Sequence, residues 1–161
     1  MGSSSAFRVL LSVLLLGLLV SLRPPEEKWD ADTLEKANTA RNETYLTSEE
    51  KKLILLTNLV RLNPQLFLKT YAQQYVDSVK YPSNKWLASL KKDLQKGQPM
   101  EELKPEKALY EVASKHAKDM GENGKIGHVS SRGADFKERT KALKEKYNPM
   151  GENCNYGGVN A

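Results

Sequence analysis

Residues 115–158, KHAKDMGENGKIGHVSSRGADFKERTKALKEKYNPMGENCNYGG, decide how the chain is read. They hold both histidines and the single cysteine, Cys154. Leu109, Val112, Ala113, His116, Ala117 and Met120 recur at helical spacing, which predicts a helix from Pro105 to about Asn123. His116 lies on its apolar side, where a core histidine with one satisfied nitrogen is favoured over a metal ligand. Gly124 has the place of the left-handed residue after a helix. Residues 126–133 are then bounded by glycine and present His128 outside any helical stripe. Loops present side chains to clefts, so His128 is the better functional candidate. Asp135 and Glu138 form a capping pair for a helix reaching about Tyr147, with Phe136, Leu143 and Tyr147 as a thin apolar edge. Asn148-Pro149 ends that helix. Residues 151–158 predict a short strand with Cys154 and Tyr156 on one face, closed by a glycine turn.

Upstream, Thr47-Ser48-Glu49-Glu50 is a capping box, with a hydroxyl at the N-cap and a carboxylate three residues on. Leu53, Leu56, Leu59, Val60 and Ile54 supply the apolar stripe of the helix it starts. Asn63-Pro64 closes this helix and opens the next, proline being suited to a first helical position. The second helix places Leu66, Phe67, Tyr71, Tyr75 and Val79 at helical spacing up to about Lys80. Ser83 is placed to cap a third, with Trp86, Leu87, Leu90 and Leu94 inward and Gly97 as its stop. The aromatic set Phe67, Tyr71, Tyr75 and Trp86 reads as core rather than as a ligand-stacking surface.

The 161 residues provide for one domain plus a leader. Val9 to Leu22, VLLSVLLLGLLVSL, is an apolar run preceded by Arg8. It is shorter than the ~20 residues of a spanning helix and fits a signal peptide, with an uncleaved anchor as the competing reading. Residues 1–22 are thus expected to be a signal peptide or N-terminal anchor, with membrane attachment through residues 7–22 in the second case. Residues 23–46 read as a polar linker or arm that Trp29 and Leu34 dock, and the domain begins at Thr47. The expected address is export, to the exterior or to a cell envelope or periplasm. One cysteine excludes an intramolecular disulfide and a multi-thiolate zinc site within one chain. The net charge of +5 comes from scattered lysine. Without a compact basic run interleaved with aromatics, nucleic acid is not an expected partner; lipid or a cell-wall component is.

Histidine plus carboxylate is the minimum for general base work or for half a divalent metal site. His128 and Glu152 are the candidate pair, as site residues and as metal ligands. No serine sits in a Gly-x-Ser-x-Gly elbow, and no His-Glu-x-x-His or phosphate loop is present. Cys154 is either a nucleophile partnered by His128 or, on the favoured reading, a small buried thiol.

The segments LILLTNLVRLNP, ALYEVASKHAKDM, GHVSSRGADFKERTKAL and MGENCNYG occur in an order that resembles the N-terminal half of the CAP (SCP) domain superfamily, in its bacterial branch. That superfamily includes cysteine-rich secretory proteins, antigen 5 and plant pathogenesis-related proteins. The resemblance implies an α/β class, an α-β-α sandwich whose cleft is lined by two histidines and two acids. It assigns His128 to the first histidine and Glu152 to the first acid, and leaves His116 and Glu122 outside the tetrad. It also implies divalent metal, zinc for instance, in some members and sterol or lipid in others, with no common enzymatic activity.

The chain ends nine residues after Glu152, and the family's second acid and second histidine have no counterpart in it. The expectation is therefore a mostly helical N-terminal part of such a domain over residues 47–161, with one or two short strands and an incomplete cleft. The leading function is an exported ligand- or partner-binding module. The alternatives are a metal-dependent hydrolase using the His/Glu cleft, or a non-catalytic helical envelope protein or non-functional truncated product.

Overall fold

A computed structural model of the chain describes residues 28–156. The apolar run at residues 9–22 and the glycine turn expected at 157–158 lie outside them. The order is α1 (Ala31–Ala37), α2 (Ser48–Leu62), α3 (Pro64–Phe67), a π-helical turn (Leu68–Ala72), α4 (Gln73–Ser78), α5 (Lys85–Lys96), α6 (Lys107–Glu122), α7 (Phe136–Thr140) and a 3-10 turn (Lys141–Leu143).

The expected α/β sandwich is overturned: among the described residues there is no strand and no sheet. Residues 151–156, expected to be a strand, carry no regular structure. An extended segment becomes a strand only by pairing its amides with a neighbour, and none of the backbone bonds outside the helices involves these six residues. The side chains still take up the alternation of extended chain. Glu152, Cys154 and Tyr156 all turn to the His128 loop, as the distances below show.

The helix boundaries follow their caps. Thr47 Oγ1 accepts from the amide of Glu50 while a Glu50 carboxylate oxygen accepts from the Thr47 amide. Asn63 Oδ1 accepts from the Leu66 amide, ahead of Pro64 at the first turn of α3. Asp135 and Glu138 form the second reciprocal box. The cap of α5 is Asn84, whose Oδ1 accepts from the amides of Trp86 and Leu87, rather than the neighbouring Ser83. An amide oxygen there satisfies two orphan donors at once.

Asn58 joins the first half of the molecule together. It is fully buried on α2. Its Nδ2 lies 2.9 Å from the Ala37 carbonyl, 2.9 Å from the Leu103 carbonyl and 3.1 Å from Thr39 Oγ1, and its Oδ1 accepts from the Leu103 amide at 2.7 Å. One side chain thus ties α1, α2 and the loop before α6 into a unit. Segment 28–46 is consequently not a loose arm: Ala37 and Ala40 are buried, and Trp29 Nε1 donates to Thr70 Oγ1 at 3.1 Å. Arg61 holds the same loop from a second point, through Nε to the Glu101 carbonyl at 2.8 Å and its own carbonyl to the Met100 amide at 2.8 Å. Tyr45 and Tyr110, with ring centres 5.1 Å apart, connect this half to α6.

Burial is uneven. Leu59, Leu94 and Met120 are inside, but Tyr75, Val79, Trp86 and Leu90 are exposed. The aromatic set expected to be core instead lines an open groove, described further below.

Candidate functional site

The His128 loop hangs from α6. Gly124 follows that helix at φ +58°, the left-handed conformation expected of it. Asp119, one turn before the helix end, accepts from the Ser131 amide at 2.7 Å and also bonds the Ser131 hydroxyl. Those bonds hold the Asp119 carboxyl below the usual aspartate value. Gly127, at φ +111°, allows a backbone path that a side chain would strain. Its carbonyl accepts from Tyr156 Oη at 2.8 Å and lies 3.2 Å from His116 Nε2, while its amide donates to Tyr156 Oη at 3.0 Å. His116 is buried, with Nδ1 3.4 Å from Ser130 Oγ, so it braces the loop from beneath as the core-histidine reading requires.

On this frame His128 Nδ1 lies 2.9 Å from Glu152 Oε1. The structure therefore brings together two residues 24 positions apart in sequence. The reading in which the two never meet does not describe it. The His128 side chain is 57% exposed and that of Glu152 13%.

A third residue completes the cluster. Arg139, on α7, grips both oxygens of Glu152, Nη1 to Oε2 at 2.7 Å and Nη2 to Oε1 at 2.7 Å. Its Nη2 also reaches the His128 carbonyl at 3.1 Å. A forked guanidinium on a carboxylate is the strongest common form of charge-assisted hydrogen bond. It is the first cause, ahead of the His128 contact, of a Glu152 carboxyl pushed down to about 2. In turn Glu152 raises the Arg139 guanidinium. Arg139 Nε is buried with no acceptor among the described residues, so the grip is bought at some desolvation cost.

Sequence reasoning missed Arg139, although a signal for it existed. Phe136, Arg139 and Leu143 follow one another at helical spacing, so the arginine stands on the thin apolar stripe of its own helix. A charged group on such a stripe is almost never buried unless paired.

The geometry limits the chemistry. Cys154 Sγ lies 3.5 Å from His128 Nδ1, the same nitrogen that faces Glu152. In a nucleophile–histidine–acid relay the acid and the nucleophile address opposite ring nitrogens. Here the Nδ1 hydrogen is directed to the carboxylate, so that nitrogen has no lone pair to take a thiol proton. Cys154 is half-buried and no part of a strand.

The cluster also fits a resident metal poorly. His116, Glu152 and Cys154 each offer a donor atom, and these lie within 4.8 Å of one another. Both Glu152 oxygens, however, face a guanidinium, and His116 Nε2 is bonded to the loop. A dication at Glu152 would have to displace Arg139 and sit beside its charge.

An open cavity of about 710 Å³ adjoins the cluster, lined among others by Lys115, His116, Asp119, Arg132, Arg139 and Leu143. His128 and Glu152 are not part of its lining. Arg139 and His116 belong both to its lining and to the cluster.

Comparison with protein-family models, with curated proteins and with solved structures returned no match to this chain.

Proposed function

We propose that the chain is an exported, non-catalytic binding module related to the CAP superfamily, in which His128 is the group offered to a ligand and Glu152 and Arg139 hold it in place. The observation that carries this reading is the two-oxygen grip of Arg139 on Glu152. A carboxylate held near pKa 2 is a very weak base, far from the near-neutral value that suits a general base at neutral pH. The same grip opposes a metal, which the hydrolase reading needs. What remains is an oriented imidazole, more than half exposed, whose Nε2 is the ring nitrogen left for a ligand. The apolar run at residues 9–22 supports export.

Thermal melts of the full chain against glycerophosphoglycerol and a soluble peptidoglycan fragment test this. A ligand that binds the folded state raises Tm by mass action. The reading expects one of these to raise the Tm of the wild type and to leave that of His128→Ala unchanged. Turnover of an ester or peptide substrate that His128→Ala abolishes would overturn it in favour of an enzyme.

A further inference from the structure

We infer that the groove formed by α4, α5 and the π-helical turn is a docking face for an anionic lipid surface. It is a different surface from the His128 cluster and stands or falls separately from the function proposed for that cluster. The groove has a volume of about 800 Å³, and Phe67, Tyr71, Tyr75, Val79, Trp86 and Leu90 are among the residues lining it. Trp86 is 70% exposed, Tyr75 60% and Val79 50%. So contiguous an apolar surface marks a site of interaction.

The charges around it select the occupant. Lys91 lines the groove, Lys85 Nζ stands 4.9 Å from the Trp86 ring centre, and Lys80 lies between the lining residues Val79 and Tyr81. The acids of the same stretch are engaged on their own helices, Asp77 by Gln73 and Asp93 by Ser89. Tryptophan and tyrosine with lysine beside them suit a membrane–water boundary, where rings sit at headgroup level and ammonium groups meet lipid phosphate. Lysine is depleted at protein–protein interfaces, which disfavours a protein partner.

Position in the chain points the same way. Trp29, next to the first described residue, bonds Thr70, and its ring centre is 6.3 Å from that of Tyr71 in the groove lining. Only residues 23–27 separate Lys28 from the apolar run ending at Leu22. Five residues span at most roughly 17 Å. A bilayer holding that run is therefore a bilayer next to the groove. The lipid contact itself needs only the groove and its lysines.

The test reads the groove, not bulk binding, because the apolar run can itself carry the chain to vesicles. Trp29→Phe in the full chain leaves Trp86 as the sole tryptophan. Its fluorescence is followed with phosphatidylcholine vesicles carrying brominated acyl chains, with and without phosphatidylglycerol. The expected result is a blue shift and bromine quenching of Trp86 on the anionic vesicles. A lysine near an anionic surface contributes about a factor of five. In Lys80→Gln/Lys85→Gln/Lys91→Gln the lipid concentration that half-quenches Trp86 should therefore rise about a hundredfold. Far-UV circular dichroism checks that this variant stays folded. Trp86 unquenched while the chain sediments with anionic vesicles overturns the proposal. So does quenching equal on neutral and anionic lipid, or shielding of Trp86 that grows with protein concentration without vesicles, which would make a second copy the occupant.

Discussion

Replacing Arg139 by methionine keeps an unbranched stem and removes the fork that grips Glu152. Glu152 would then keep only His128, at 2.9 Å, as a partner. Breaking a buried pair from one side costs roughly 3–5 kcal/mol. This one has side chains 10% and 13% exposed and borders a solvent-facing histidine, so about 2–3 kcal/mol at neutral pH is the expected loss.

The pH dependence is the sharper signature. The folded pKa of Glu152 is depressed, from the ordinary 4.5 to about 2. The stability it contributes is therefore fully present above 4.5 and is lost as pH falls from 4.5 towards 2. A shift of that size corresponds to about 3 kcal/mol, or about 2 kcal/mol once solvent screening at the open side is allowed for. One carboxylate can give a slope of at most about 1.4 kcal/mol per pH unit. Urea melts followed by circular dichroism at intervals from pH 7 to pH 2.5 measure the two curves. The wild type should fall more steeply than Arg139→Met below pH 4.5, so that the two converge as acid is added. Arg139→Lys, with a point charge in place of a fork, should lie between them. Parallel curves would refute the reasoning, because they would mean that Arg139 does not hold the carboxylate in its charged form.

Asn58→Ala removes four hydrogen bonds around a fully buried amide, and should cost about 3 kcal/mol in urea melts. Gly127→Ala meets no steric neighbour, but its φ of +111° is strained for any side chain. It should cost about 1–2 kcal/mol and shift the NMR signals of His116, His128 and Tyr156 together. Asp135→Ala removes the cap of α7 and should cost about 1 kcal/mol, with Arg139 and Glu152 resonances broadened. His128→Ala should change stability by less than about 1 kcal/mol, because its side chain is more than half exposed and such contacts contribute little; a larger loss would make His128 a structural residue.

Local signals were legible from the chain. The boxes at Thr47 and Asp135, the Asn63-Pro64 junction and the left-handed Gly124 were read from residue types alone, because capping is decided within four residues. The strand expected at Cys154 does not form, because alternation signals an extended segment while a strand also needs a partner. The groove aromatics were misassigned for a related reason. Helical spacing shows which residues share a face, but not whether another element covers that face. Asn58 was passed over because a polar residue within a helical stripe is indistinguishable, in sequence, from one at the solvent edge.

The His128–Glu152 pairing and the grip of Arg139 stand at opposite ends of that scale, and together they change the chemistry. His128 and Glu152 are matched through the resemblance carried by GHVSSRGADFKERTKAL and MGENCNYG, since their spacing alone is a weak signal. Arg139 lies inside a lysine-rich stretch and its meaning depends on the apolar residues three before and four after it. Without it, His128 and Glu152 are an imidazole and a carboxylate free to share a proton or a metal. With it, the carboxylate is anionic down to acid pH, the Nδ1 hydrogen is fixed, and Cys154 faces a nitrogen already in use. On the function proposed above, the same two residues then present one ring nitrogen to a ligand.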